Sequence, residues 1–306
     1  MLAALVTPFN ADGEVDLGLF AEPVGVYLDA GLHGVWVAGN TGEVDVLSFE
    51  ERVSLFETAV TIAAGRGVVV AHVGAPATRD AVALAKRAES VGVHAVAAMP
   101  PTTQSSDAIV SYYAAIAREV TLPLYAYHVV GRPSLALYEP VMSQIMAFPN
   151  VVGIKYSDPN LVEMDALLRN LDRRPNLLYG VDAMLPAALL MGADGGIGGS
   201  YNTMPGYYAE LYRRCAGGDW DGAVALQRQG NKVMDVLKAF GGHAAIKATL
   251  EACGFPVGAC RPPGPMLRGT PRDLAEALKA AGYFELPGSL ARVVRGERER
   301  ALPESH

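Results

Sequence analysis

Three cysteines, two tryptophans and six lysines in 306 residues leave several kinds of protein out. Cys215, Cys253 and Cys260 are odd in number and lack the close pairs that zinc and redox sites use. They read as buried thiols of a reducing compartment. Charged residues make up only 19% and apolar residues 51%, which sets aside disorder along the whole chain. No apolar run reaches the roughly 18 residues that a membrane helix needs. The opening Leu2-Ala3-Ala4-Leu5-Val6 is too short, and lacks the basic flank, to act as a signal peptide. A net charge of −7 gives no footprint for nucleic acid, and the densest basic group (Arg292, Arg295, Arg298, Arg300) is interleaved with Glu297 and Glu299. A soluble, cytoplasmic protein without a nucleic-acid or membrane partner is expected.

What is there is a rhythm. Short apolar runs at Leu2–Phe9, Gly34–Ala38, Val68–Val73, Ala95–Met99, Leu122–Tyr127, Val151–Tyr156, Asn176–Gly180 and Gly195–Gly198 read as strands. Amphipathic stretches at Leu17–Ala30, Thr78–Ser90, Ala108–Val120, Glu139–Ala147, Leu161–Leu171 and Met184–Met191 read as helices between them. Ser48, with Glu51 three residues on, predicts a capping box at the start of a helix running to about Ala64. Eight βα units point to a closed (β/α)8 TIM barrel over residues 1–205, and no dinucleotide fingerprint follows the first strand, where Thr7-Pro8-Phe9-Asn10 stands. Residues 206–300 read as helices only, an appended C-terminal layer, and 301–306 as a frayed tail.

In such a barrel the chemistry sits at the C-terminal ends of the strands. Lys155 follows Val151-Val152-Gly153-Ile154, at the end of an apolar central strand rather than on a solvated helix face. A lysine there loses hydration, which favours the free amine, and a free amine condenses with a ketone to a Schiff base. The alternative is a rim lysine paired with Asp158 or Asp182. Tyr127 ends the preceding strand, where a phenol can pass protons or simply plug the core. Asn40-Thr41-Gly42 offers backbone amides and a hydroxyl suited to a carboxylate, although the same residues make ordinary turns. The six histidines show no metal-ligand spacing, and His128 is expected to pack or face solvent. Gly195-Gly196-Ile197-Gly198-Gly199 lacks a P-loop lysine and reads as close backbone approach at a strand end.

At these residues the chain resembles the dihydrodipicolinate synthase / N-acetylneuraminate lyase family of pyruvate-dependent class I aldolases. Four features match in order: Gly39-Asn40-Thr41-Gly42-Glu43, Tyr127, Gly153-Ile154-Lys155, and Gly192-Ala193-Asp194-Gly195-Gly196-Ile197-Gly198. The likeness runs from about residue 2 to 285. It implies that Lys155 forms an imine with the keto carbon of pyruvate or another 2-oxo acid. It further implies that Tyr127 shuttles the proton and that Thr41 holds the carboxylate. Asn40, Gly42, Arg132, Ser157, Gly180, Asp182, Ile197, Gly198 and Gly199 are then expected to line the substrate. No metal or organic cofactor is implied, the partners are a 2-oxo acid and an aldehyde, and the assembly is a homotetramer.

Tyr179-Gly180-Val181-Asp182 and Gly198-Gly199-Ser200-Tyr201-Asn202 look closer to the N-acetylneuraminate lyase branch. Ala183 stands where that branch has a glutamate, Gly199 where it has a serine, and Asn40 where the family has Ser or Thr. Arg132 matches the arginine that synthases turn toward a substrate carboxylate. Yet Pro101-Thr102-Thr103 replaces the expected aromatic pair, and Tyr127-His128-Val129-Val130-Gly131-Arg132-Pro133-Ser134 departs from Y-N-x-P-S-R-T-G. The resemblance therefore leaves a dihydrodipicolinate synthase, a 2-keto-3-deoxy-sugar-acid aldolase or dehydratase, and a non-catalytic 2-oxo-acid sensor as alternatives.

Overall fold

The computed structural model describes residues 1–102, 105–130 and 139–301, apart from the side chains of residues 139 and 296–301. Strands β1 (Leu2–Ala4), β2 (Gly34–Val37), β3 (Val68–His72), β4 (Ala95–Ala98), β5 (Leu124–Val129), β6 (Val151–Ser157), β7 (Asn176–Tyr179) and β8 (Gly195–Gly198) form a closed parallel barrel. Helices α1 (Leu17–Asp29), α2 (Phe49–Ala63), α3 (Thr78–Val91), α4 (Ser106–Glu119), α5 (Glu139–Met146), α6 (Leu161–Asn170), α7 (Leu185–Leu190) and α8 (Pro205–Ala216) follow the strands in turn. Then come α9 (Trp220–Ala239), α10 (His243–Ala252), α11 (Pro271–Ala280) and α12 (Leu290–Ala301), the C-terminal helices. This is the TIM-barrel architecture. Among the described residues no helix is long and apolar enough to cross a membrane.

Strand β1 is shorter than the apolar run Leu2–Phe9. Leu5 N–H still donates to the Trp36 carbonyl at 3.0 Å, but Pro8 has no N–H to donate, and the Thr7 hydroxyl turns to the Gly42 carbonyl at 2.7 Å. The predicted capping box forms. Ser48 N–H donates to Glu51 Oε2 at 2.7 Å, and Glu51 N–H donates to Ser48 Oγ at 3.1 Å. The same Glu51 takes two hydrogen bonds from Arg261, at 3.0 and 2.6 Å, so the cap of α2 also anchors the segment after α10.

Alternate strand residues divide two cores. Val35, Val37, Leu124, Ala126, Ile154 and Tyr156 pack outward under the helices. Leu2, Ala4, Trp36, Val70, Ala95, Ala97, Met99, Tyr127 and Ile197 fill the barrel interior. On β6 the alternation is broken. Leu124 pairs with Val151 but Tyr125 pairs with Gly153, so β6 carries one extra residue at that point. Val151 and Ile154 consequently share the outer face, and Gly153 and Lys155 turn to the inner one.

The barrel is bolted to the C-terminal helices by a buried ion pair. Lys247 on α10 lies 2.7 Å from Glu43, with side chains 2% and 5% exposed. Lys247 also donates to the Ala259 carbonyl at 2.9 Å, and Arg261 N–H donates to Glu43 Oε2 at 2.8 Å. Burial pulls Lys247 below its ordinary range while Glu43 works against that. Removing one partner of such a pair leaves a buried charge uncompensated, at about 3–5 kcal/mol. K247M is therefore expected to lose about that much stability in urea unfolding, whereas E43Q/K247M, with no buried charge left over, loses clearly less. An equal or larger loss in the double variant would refute the pairing argument.

Candidate active site

The extra residue in β6 decides where the lysine goes. Lys155 pairs with Tyr127 on β5 and with Leu178 on β7, and it points into the barrel with 4% exposure. Gly153 allows the bend. A Cβ there would overlap the Asn176 carbonyl of β7 and sit 3.0 Å from the Tyr125 ring. Lys155 Nζ rests 4.3 Å from the Tyr127 ring centroid and 4.7 Å from that of Trp36. The two rings meet edge to face at 5.7 Å and 78°, and His72 closes the other side of Tyr127 at 6.0 Å. Lys155 has no ion-pair partner among the described residues, so neither Asp158 nor Asp182 is paired with it.

The β2 turn supplies the second wall. Glu43 N–H donates to the Asn40 carbonyl at 3.1 Å and Val44 N–H to the Gly39 carbonyl at 3.2 Å. Ala38 and Glu43, at φ 54° and 61°, bracket the turn with left-handed backbone, which side-chain-bearing residues adopt only under constraint. The Glu43–Lys247 pair and the Thr7 bond to Gly42 provide that constraint. Thr41 is buried, and its hydroxyl lies 3.0 Å from the place a Gly199 Cβ would take. Ile246 on α10 lies 3.6 Å from the same place, so the first turn of α10 covers this edge of the barrel mouth.

Asp182 and Ser157 form the third wall. Ser157 presses on Gly180, and Asp182 presses on Gly198, each so closely that a Cβ on the glycine would overlap the side chain. Asp182 Oδ2 accepts from Ser200 N–H at 3.1 Å and Ser200 Oγ–H at 2.5 Å, and Ser200 Oγ is 2.6 Å from the Tyr208 hydroxyl. Asp182 Oδ1 is buried with no hydrogen bond among the described residues. Burial pushes the Asp182 carboxyl up from 3.8 to about 6, against the opposing Ser200 hydrogen bonds and the charge of Lys155. His243, the first residue of α10, is half-buried and held below its ordinary range by burial, and it too feels Lys155.

Of the residues singled out in the sequence, Lys155, Tyr127, Thr41, Asn40, Gly42, Ser157, Gly180, Asp182, Gly198 and Gly199 cluster at the mouth. Ile197 packs in the interior core with Trp36 and Tyr127. Arg132, Pro133, Ser134 and Thr103 lie outside the described residues. His128 packs rather than faces solvent, and it has a partner as well. It is buried with Nε2 3.1 Å from Asp158 Oδ2, and its ring stacks on Tyr156 at 5.0 Å. Asp158 is thereby committed to His128. Among the described residues no group of three His, Cys, Asp or Glu side chains could hold a metal, and the three cysteines are free.

Trp36 and His243 were missed at the sequence level. The alternation of β2 carried the signal for Trp36, which falls between the outward-facing Val35 and Val37. His243 carried none, because only the fold brings α10 over the barrel.

Comparison with known proteins follows the same outline. The Dihydrodipicolinate synthetase family model matches residues 1–281. An N-acetylneuraminate lyase of Rhizobium meliloti is 32% identical over 263 residues, covering 85% of this chain and 87% of that one. A 4-hydroxy-tetrahydrodipicolinate synthase of Gluconacetobacter diazotrophicus is 30% identical over 287 residues, covering 92% and 97%. The solved N-acetylneuraminate lyase of Proteus mirabilis superposes with a TM-score of 0.86 at 30% identity, covering 92% of this chain and 97% of that one.

The raised Asp182 carboxyl has a sign. The native state binds a proton on Asp182 that the unfolded chain has released between pH 3.8 and about 6, so this group's share of stability falls as pH rises through that window. The share is about 2–3 kcal/mol. Urea unfolding of D182N compared with the parent from pH 4 to pH 7.5 should show that decline removed, and parallel profiles would show that Asp182 titrates normally.

Proposed function

The chain belongs to the dihydrodipicolinate synthetase family and is a carbon–carbon lyase, and from that premise we propose a Schiff-base aldolase that cleaves or condenses a 2-oxo acid with pyruvate as one component. The observation that carries the proposal is Lys155. It is an amine buried at the end of β6, directly beside Tyr127, with no carboxylate paired to it among the described residues. A carboxylate at ion-pair distance would hold the nitrogen as ammonium, whereas an amine must present its lone pair to attack a ketone.

In this reading the carboxylate of the 2-oxo acid lies against Thr41 and the amides of the β2 turn, which sets C2 over Nζ. The lone pair of Nζ adds to C2, one proton passes from the nitrogen to the former carbonyl oxygen, a second reaches that oxygen from a general acid, and water leaves. The product is an iminium with its positive charge on Nζ. For cleavage, the C4 hydroxyl gives up its proton, the C3–C4 bonding pair moves into the iminium, and an aldehyde departs from the resulting enamine. Protonation at C3 and hydrolysis then release pyruvate and the free lysine. In this reading Tyr127, beside Lys155 on β5, takes and returns the proton, since a phenol hydroxyl is both donor and acceptor. Condensation is the same sequence reversed.

The balance within the family leans toward the lyase branch on Gly180, Asp182 and the Gly198–Asn202 segment. Asp182 is already engaged by Ser200, and Ala183 is exposed and carries no polar group. The aldehyde is therefore to be found by assay. Retro-aldol cleavage of N-acetylneuraminate and of 2-keto-3-deoxy-sugar acids is measured against condensation of pyruvate with aspartate semialdehyde. A homotetrameric, cytoplasmic enzyme goes with this reading, and light scattering at assay concentration checks the assembly.

Pyruvate with borohydride should leave a reduced three-carbon adduct on Lys155, found by peptide mass. An unmodified Lys155 in folded protein would remove the proposal. Y127F should still trap pyruvate but turn over about 10²–10⁴-fold more slowly. Turnover at the parent rate would take the proton transfer away from Tyr127.

A further inference from the structure

The geometry points to Trp36 as a catalytic residue: its indole face and the Tyr127 ring form a two-sided aromatic cradle that carries the positive charge on Lys155 Nζ. This inference rests on the Schiff-base reading and deepens it. Nζ lies 4.7 Å from the Trp36 centroid and 4.3 Å from the Tyr127 centroid, both inside the range in which a cation is drawn to an aromatic face. The rings stand at 78° to each other, so they form two walls of a corner rather than a stack. All three groups are buried, with Trp36 fully so, and in such surroundings the attraction is stronger than at a wet surface.

The chemistry asks for this kind of support. Nζ must be neutral to attack the ketone and cationic as the iminium. A carboxylate in contact would favour the cation so strongly that the attacking amine would be scarce. Bare aliphatic walls would penalise the iminium. An aromatic face lies between the two: it attracts the charge through its quadrupole and offers no atom that binds the proton. The carboxylate of Asp182 feels Lys155 but forms no ion pair with it.

A second feature of Trp36 fits a role for its face rather than its edge. Its Nε1–H is buried with no hydrogen-bond partner among the described residues, held beside Gly39, where a Cβ would come within 2.6 Å of the nitrogen. A phenylalanine would fill the interior without that unpaired donor. The indole nonetheless has the strongest face for a cation of the three aromatic side chains.

The test separates π character from size. W36F and W36M have side chains of similar bulk, and only the phenylalanine retains a ring. With the full chain and sub-saturating pyruvate, borohydride trapping on Lys155 should fall about tenfold in W36M and only about two- to threefold in W36F. Equal losses in the two variants, or trapping by W36M at the parent level, would overturn the cradle. A second measurement needs no turnover. In W220F, which removes the tryptophan of α9 away from the site, Trp36 is the sole source of indole emission. Adding K155M to W220F removes Nζ and should shift that emission, and no shift would show that the nitrogen does not rest on the indole. If the parent protein traps no pyruvate while K155M still shifts the emission, the Schiff-base reading fails but the contact stands. If the parent traps and W36M traps equally well, the cradle alone fails.

Discussion

The register shift between β5 and β6 decides which face of β6 meets the barrel axis. Side chains alternate along a strand with a period of two, so one extra residue exchanges the inner and outer sets from that point on. Counted from Val151 without the extra residue, Lys155 would fall on the outer face, under α5 and α6. With it, Ile154 and Tyr156 take the outer positions and Lys155 enters the interior beside Tyr127. Gly153 is the residue that makes the shift feasible, since β7 comes too close for any side chain there. The remaining site geometry is arranged around the nitrogen so delivered.

Much of this was legible in the sequence, and the reason is the same for each legible part. Buried parallel strands read as continuous apolar runs, so all eight were visible as segments, and the capping box of α2 was visible because its two members are three residues apart. Lys155 stood out as a polar residue closing an apolar run. Its orientation was not legible, because a bulge is a property of two strands and leaves no mark on one. The overextended β1 failed for a related reason. Leu5 adds one more bond to the ladder, whereas Val6 turns its N–H to Asn202 and Phe9 packs under Lys247 and Arg261 of the C-terminal segment.

Pairings between distant residues were the main loss. Glu43 and Lys247 are 204 positions apart, and each alone resembles an ordinary helix or turn charge. Sequence reading assigned Glu43 only to a motif. The fold shows it holding a left-handed backbone residue in place, so that the turn carrying Thr41 is fastened to α10. His128 and Asp158 were likewise read apart, and Asp158 was weighed as a partner for Lys155. Parallel pairing brings His128 level with Tyr156 on the outer side of the sheet, and Asp158 turns back to meet it. That contact occupies a carboxylate which would otherwise compete for the lysine.

The glycines at the mouth take on a different meaning once the walls are in place. Gly180, Gly198 and Gly199 were expected to line the substrate, as small residues in a pocket do. Each also receives a polar side chain of this chain, Ser157, Asp182 and Thr41 in turn. Adding a methyl group in a tightly packed place forces such neighbours off their rotamers, at about 1–3 kcal/mol. The glycines thus set how closely Ser157, Asp182 and Thr41 seat against the strand ends.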